Sequence, residues 1–265
     1  MKSYLSMSLA MMLVTACSDA ASNMAPTSYP DPAAAKSGGD GGFTVSGSLT
    51  NNLFTFDDGT FNASDGATFT VESLNGGFGA AAPSLGSVYN NAANKFIGRL
   101  DNNQVNLIVP NGGSTYDISY DLYIIGSWDG NGKQSGGQFG VDLWENSIAC
   151  SSTGPSVATL IRTTFSNQKT VQQSYPHDYL SGGGSNKAGD GAFATDALGY
   201  KNDPTSNTPV FQSFGDTWYK LHFTGVNPCG AGNAIFLRWS VPNATLQSNY
   251  DESWGVDNVH IMTDG

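Results

Sequence analysis

Close to the end of the chain, the run Asp251-Glu252-Ser253-Trp254-Gly255-Val256-Asp257-Asn258-Val259-His260-Ile261 places carboxylates among Trp254, Val256, Val259 and Ile261. Glu252 and Asp257 are acceptor-only groups. In a strand with this much apolar surface they need donors or a hard cation to satisfy them. A second acidic group is Ser127-Trp128-Asp129-Gly130-Asn131-Gly132, with Asp142 following. Its Asp-x-Asn spacing puts two oxygen ligands in one turn. An EF-hand loop would need a glutamate at its twelfth position, where residue 140 is glycine. A looser oxygen site and a plain turn both remain open there, and the turn is the simpler reading.

The same acids are the first place to look for catalysis. Glycoside hydrolysis needs two carboxylates about 5 to 9.5 Å apart across a cleft, and alternate residues of one strand point them the same way. Here Asp142 and Glu145 are three apart and Glu252 and Asp257 five apart. An odd separation in a regular strand puts them on opposite faces. Ser174 lies near His177-Asp178, but adjacency is not a triad and no Gly-x-Ser-x-Gly elbow is present. A polysaccharide-cleaving reading would rest on Glu145, His177 and Tyr179. His222 and His260 lie within mixed apolar strands and read as satisfied surface or core residues.

Aromatic rings offer a noncatalytic route, because sugars stack their CH faces on rings while amides and hydroxyls orient them. Trp144, Trp239 and Trp254 sit in alternating contexts and are assigned to the core. Trp128, in a glycine-rich turn, is the candidate platform. Tyr175, His177 and Tyr179 join it from a stretch of about 40 residues, 171–214, with little periodicity. A loop that long is usually functional or mobile, and its aromatics either cap the core or line a ligand surface.

The elements that must position these residues are strands. Strand signals cover 53–56, 68–74, 104–109, 116–125, 138–144, 159–165, 217–224, 234–241 and 254–262. Several alternate, as Val105, Leu107 and Val109 do against Gln104, Asn106 and Ile108. Glycine and asparagine turns separate them, among them Asp57-Asp58-Gly59 and Asn111-Gly112-Gly113. Many short strands without helical crossovers imply a single antiparallel β-sandwich of jelly-roll type.

The first strand reads Leu53-Phe54-Thr55-Phe56-Asp57-Asp58-Gly59 and the last Trp254-Gly255-Val256-Asp257-Asn258-Val259, with Asp121-Leu122-Tyr123-Ile124-Ile125-Gly126 between them. In this pattern the chain resembles exported jelly-roll or concanavalin-like domains, in the style of carbohydrate-binding modules and MAM-type extracellular domains. The resemblance implies that the first and last strands lie side by side. It also implies a buried structural calcium between the chain ends, on Asp57 or Asp58 and Asp257 with Glu252 a further ligand. The alternative is that Asp57 and Asp58 form a turn and Asp257 caps backbone amides.

At the amino end, Lys2 precedes a short apolar run from Leu5 to Val14, too short to span a bilayer as a helix. Val14-Thr15-Ala16-Cys17 resembles the lipobox of bacterial lipoproteins, which implies cleavage before Cys17 and its lipidation, with attachment to the envelope membrane through the lipid anchor. By that family's sorting rule, the resemblance implies that Ser18 in the next position directs the chain to the outer membrane. Residues 17–42 hold almost no large apolar side chain and read as a flexible tether. The expected organisation is therefore a signal peptide over 1–16, a tether over 17–42 and a sandwich over 43–265.

Without residues 1–16 the chain has 10 basic and 22 acidic side chains, a net −12. That disfavours nucleic acid and anionic membrane surfaces as partners. With Cys17 lipidated, Cys150 and Cys229 are an even pair in an exported protein and most simply form a disulfide. Closing so long a loop stabilises the fold by roughly 4 kcal/mol. The reading is a calcium-stabilised, noncatalytic recognition or adhesion module for glycan or another cell-surface partner. Its rivals are the polysaccharide-cleaving enzyme and a structural envelope protein.

Overall fold

The computed structural model describes residues 91–264, apart from 111, 135–136, 139, 183, 203–213, 243–244 and 247–249, and four earlier strands. The signal peptide and tether, Cys17, Asp57 and Asp58 lie outside the described residues. Strands are numbered in chain order. In one sheet β12 (Ala194–Thr195), β13 (Asp216–Val226), β7 (Thr115–Gly126), β15 (Glu252–Asp264), β5 (Asn91–Leu100) and β4 (Leu85–Val88) lie side by side, and β1 (Leu49–Phe54) also pairs with β15. The other sheet orders β11 (Ser156–Thr164), β10 (Leu143–Ala149), β14 (Ile235–Ser240), β6 (Asn103–Val109), β2 (Thr68–Ser73) and β3 (Gly77–Ala81). A separate two-stranded ribbon joins β8 (Lys133–Gln134) to β9 (Gly137–Gln138).

All pairings are antiparallel, and the chain changes sheet repeatedly: β5, β7, β13 and β15 belong to the first, β6, β10 and β14 to the second. This is the expected all-β antiparallel sandwich, of jelly-roll type. The first and last strands do pair, with Phe54 opposite Val259 and Leu49 opposite Asp264.

Period-two burial builds the core. Val105, Leu107 and Val109 of β6, Ile118, Tyr120, Leu122 and Ile124 of β7, and Trp254, Val256, Val259 and Ile261 of β15 all point between the sheets. Trp144, Trp239 and Trp254 are fully buried, as their alternating contexts predicted, and Trp144 meets Trp254 edge to face at 6.3 Å. The Cys150–Cys229 disulfide forms, with Cα atoms 5.3 Å apart. It ties the end of β10 to the turn between β13 and β14.

Two stretches depart from the sequence reading. A strand was expected at 138–144, but β10 begins at Leu143 and runs on through Glu145-Asn146-Ser147. Those polar residues hide it: Asn146 faces inward, accepts the Tyr120 hydroxyl at 2.9 Å and donates to the Arg238 carbonyl at 2.8 Å. Strands β3, β4 and β5 carry glycine, alanine, asparagine and serine, with no clear alternation to announce them.

The described parts of 171–214 close one edge of the core. Tyr175 packs 4.9 Å from both Phe165 and Tyr219. Buried Gln173 accepts the amides of Ser166 and Gly189 and donates to the Asp190 carbonyl. These side-chain bonds supply the pairing that a ladder would otherwise give.

Candidate functional site

Strand β7 ends at Gly126, whose φ of +87° turns the chain where a Cβ would sit 1.8 Å from the Asp251 carbonyl oxygen. Only glycine fits there. The turn lets the Ser127 amide reach that carbonyl at 2.7 Å and the Ser127 hydroxyl reach the Asp251 carboxylate. Next, the Trp128 ring enters the core and its Nε1 donates to the Ser253 carbonyl at 2.9 Å. Gly130, at φ +55°, accepts the Asp142 amide at 3.0 Å. The segments leading out of β7, into β10 and into β15 are thereby drawn together.

Their carboxylates meet. Asp129, Asp142 and Glu252 each offer an oxygen, and these lie within 4.8 Å of one another. The residues are only 4%, 2% and 1% exposed. The Asp129 amide donates to the Asp142 carboxylate, yet Asp129 Oδ1 is buried with no hydrogen-bond partner. Among the described residues, no ion pair reaches Asp129 or Asp142.

Burial, then the nearby charge of Asp251, pushes the Asp129 carboxyl up to about 6, although a hydrogen bond with Gln168 pulls it down. Asp142 is raised well above the ordinary carboxylate range. Burial leads, followed by the charge of Glu252, with smaller contributions from Asp129 and Asp251, against the stabilising Asp129 amide.

The donor set fits a hard cation. Calcium takes carboxylate and carbonyl oxygens at about 2.3 to 2.6 Å, so two oxygens on one ion lie no more than about 5 Å apart. The cluster meets that limit without rearrangement. A divalent charge would neutralise the repulsion that raises both aspartates and give Asp129 Oδ1 its missing partner.

The structure separates the two expected ligands that β15 carries. Glu252 belongs to the cluster, but Asp257 does not: it is buried farther along β15, where Oδ2 accepts the Tyr123 hydroxyl at 3.0 Å and Oδ1 the Asn258 amide at 2.7 Å. Opposite it in the sheet is Asp121, which holds Lys220 Nζ at 2.9 Å and Asn258 Nδ2 at 2.7 Å. A β-bulge after Asp257, with Asn258 at φ +48°, turns those donors toward the acids. The partners of Glu252 are instead Asp129 and Asp142, for which the sequence left a looser oxygen site and a plain turn both open, with the turn the simpler reading.

Two expected ligand-binding residues are corrected as well. Trp128 is 0% exposed, so its ring cannot present a face to a ligand, and Tyr175 is buried in the Phe165–Tyr219 stack. His177 is exposed and Tyr179 partly buried on the loop beside β11. The Tyr179 amide donates to the Arg162 carbonyl at 2.7 Å, and the His177 carbonyl accepts the Thr163 hydroxyl at 2.9 Å. Glu145 faces Arg162 across the β10–β11 pair, and the guanidinium binds its carboxylate.

Among the aromatics of 171–214, expected either to cap the core or to line a ligand surface, Phe193 is 50% exposed. It lies 4.8 Å from the half-buried Trp218, and its amide donates to the Trp218 carbonyl at 2.7 Å. Trp218 is the ring that sequence reasoning left unplaced, although a signal for it was available. In β13, Tyr219 and Leu221 alternate inward, which leaves Trp218 in the outward phase of Lys220 and His222. A tryptophan in the polar phase of a strand is a surface feature.

No family model matches the chain, and no curated protein matches it. Among solved structures, the chain is similar to the native family 35 carbohydrate-binding module from Clostridium thermocellum, at a TM-score of 0.28 and 10% sequence identity, over 82% of this chain and 99% of that one.

Proposed function

We propose that the chain is a noncatalytic recognition or adhesion module of the bacterial cell envelope, held to the outer membrane by lipidated Cys17, stabilised by calcium and directed at glycan. The observation that supports this most is where the buried acids go. Asp121 and Asp257 are held by Lys220, Tyr123 and Asn258, and Glu145 by Arg162. Asp216 accepts the amides of Ala197, Leu198 and Tyr200. Asp129, Asp142 and Glu252 converge in a place too enclosed for a polymer and suited to an ion. The acidic chemistry is spent on architecture, and the ligand is left to rings and neutral hydrogen bonds.

Calcium abounds outside the cytoplasm, and the Cys150–Cys229 disulfide belongs to an oxidising compartment. Both accord with the exported reading of the Val14-Thr15-Ala16-Cys17 motif. Thermal melting in chelator and in millimolar calcium tests the stabilising ion, since a ligand that binds only the folded state raises Tm. A glycan array, run under both conditions, tests the ligand class. Equal melting temperatures would remove calcium from the account.

One arrangement favours a second reading, a polysaccharide-cleaving enzyme: β11 brings Tyr179, His177 and Glu145 to the vicinity of Arg162. Release of reducing ends or of unsaturated products from a polysaccharide panel would support it over the binder.

A further inference from the structure

Among the described residues, Phe193 is a large exposed ring that packs on another ring, Trp218. Beneath it Trp218 meets Tyr123 edge to face at 5.9 Å, and Tyr123 meets Phe96 in the same way at 5.2 Å. Phe96, Tyr123, Ile125, Leu198 and Tyr200 form a small second core on the outer face of the first sheet, with Trp218 packed against it. The short strand β12 clamps the ring from the chain side, pairing Ala194 with Trp218 and Thr195 with Thr217. A ring fixed in this way loses little conformational entropy when it is covered.

Lys220 lies over both rings. Its ammonium lies 4.9 Å from the Phe193 centroid and 4.6 Å from that of Trp218. One N–H is given to Asp121 at 2.9 Å. An ammonium has three, so donors remain beside the ring. The Asp121 carboxylate offsets its charge, which removes the attraction a polyanion would need, and the chain as a whole is −11.

We infer that Phe193, with Trp218 behind it and Lys220 over one side of it, is the site where a neutral pyranose residue of a glycan stacks. The inference rests on the recognition reading and names its surface and its ligand class. A half-exposed phenyl with an ammonium close by matches a sugar ring, which presents CH groups to the phenyl and hydroxyls to the ammonium. Another protein is a poorer match: one half-exposed phenyl and part of an indole fall far short of the roughly 800 Å² per partner that a stable interface needs.

The test uses affinity electrophoresis of the purified protein, in calcium, through gels containing neutral glucan, mannan or xylan, or the uronates alginate and polygalacturonate. Wild type should be retarded by at least one neutral polymer. Phe193→Ala should weaken that retardation at least tenfold, and Phe193→Trp should restore it. Both variants should melt within a degree or two of wild type, since the ring is half in solvent. Equal retardation of Phe193→Ala overturns the site and leaves the recognition reading standing. Retardation by uronates alone overturns the neutral ligand. Retardation by nothing overturns the recognition reading together with the site.

Discussion

Strand β15 carries two buried acids, and their surroundings are opposite. Asp257 and its neighbour Asp121, each 3% exposed, are met by donors on every side that the sheet presents: Lys220, the Tyr123 hydroxyl, and the amide and side chain of Asn258. Glu252, five residues earlier, meets Asp129 and Asp142, two more acids, and Asp129 Oδ1 has no hydrogen-bond partner. Burial alone therefore does not mark a metal site. What separates the two is whether the protein brings its own positive charge and N–H groups. Where it does, the acids are structural. Where it brings mainly more carboxylates, with one oxygen left unpartnered, the set suits the cation we propose.

The largest effect should come from breaking the self-sufficient pair. Asp257→Ala strands the Tyr123 hydroxyl and the Asn258 amide, and denaturant unfolding should show a loss of about 3 to 4 kcal/mol, the same with calcium or chelator. A calcium-dependent loss would mean that the two sites are not distinct.

In chelator the acid cluster should make the fold less stable as pH rises. Asp129 titrates near 6 in the folded state against a reference of 3.8. Between those values the folded chain holds a proton that the unfolded chain has released. Stability should therefore fall from about pH 4 to about pH 6, by about 2 to 3 kcal/mol for this residue, and Asp142 should act in the same direction. Calcium, which binds the ionised form, should cancel the decline. Melting curves across that range, in chelator and in calcium, should diverge upward in pH, and parallel curves would refute the assignment.

At pH 7, calcium at a hundredfold excess over its Kd should add about 2.7 kcal/mol to wild type. Asp142→Asn should lose that gain while melting at or slightly above wild type in chelator, because it removes one of the repelling charges. A smaller effect is expected where an acid and a cation meet in solvent. His222 Nε2 lies 2.9 Å from Asp117 Oδ1 with both side chains well exposed. The Asp117 hydrogen bond raises the His222 pKa, against a smaller lowering by burial. Its stabilisation should be full below about pH 6.5 and fade as pH rises through the raised value. His222→Gln should cost no more than about 0.5 kcal/mol, and only on the acid side.

Much of the fold was legible because period-two alternation is a local signal: β6, β7, β13 and β15 were all evident from their own residues. β10 was misplaced because its inward Asn146 looks polar, and the Tyr120 hydroxyl that satisfies it lies 26 residues away. The acid cluster was legible only in parts. Asp129 and Asp142 stood out by spacing and Glu252 by its place in an apolar strand. Their meeting depends on β15 lying against β7 with Glu252 opposite Gly126, which no local pattern encodes. Asp257 was drawn into the wrong set for the same reason, since its donors Tyr123 and Asn258 become visible only through strand pairing and the bulge. Trp128 misled because a glycine-rich turn suggests the surface, although here the turn serves to send the indole inward.

The most direct measurement is a calorimetric titration of calcium chloride into chelator-stripped protein at pH 7, for wild type, Asp142→Asn and Asp257→Asn. One calcium per chain should bind wild type and Asp257→Asn, with none binding Asp142→Asn. No binding to wild type, or undiminished binding to Asp142→Asn, would contradict a calcium site at Asp129, Asp142 and Glu252.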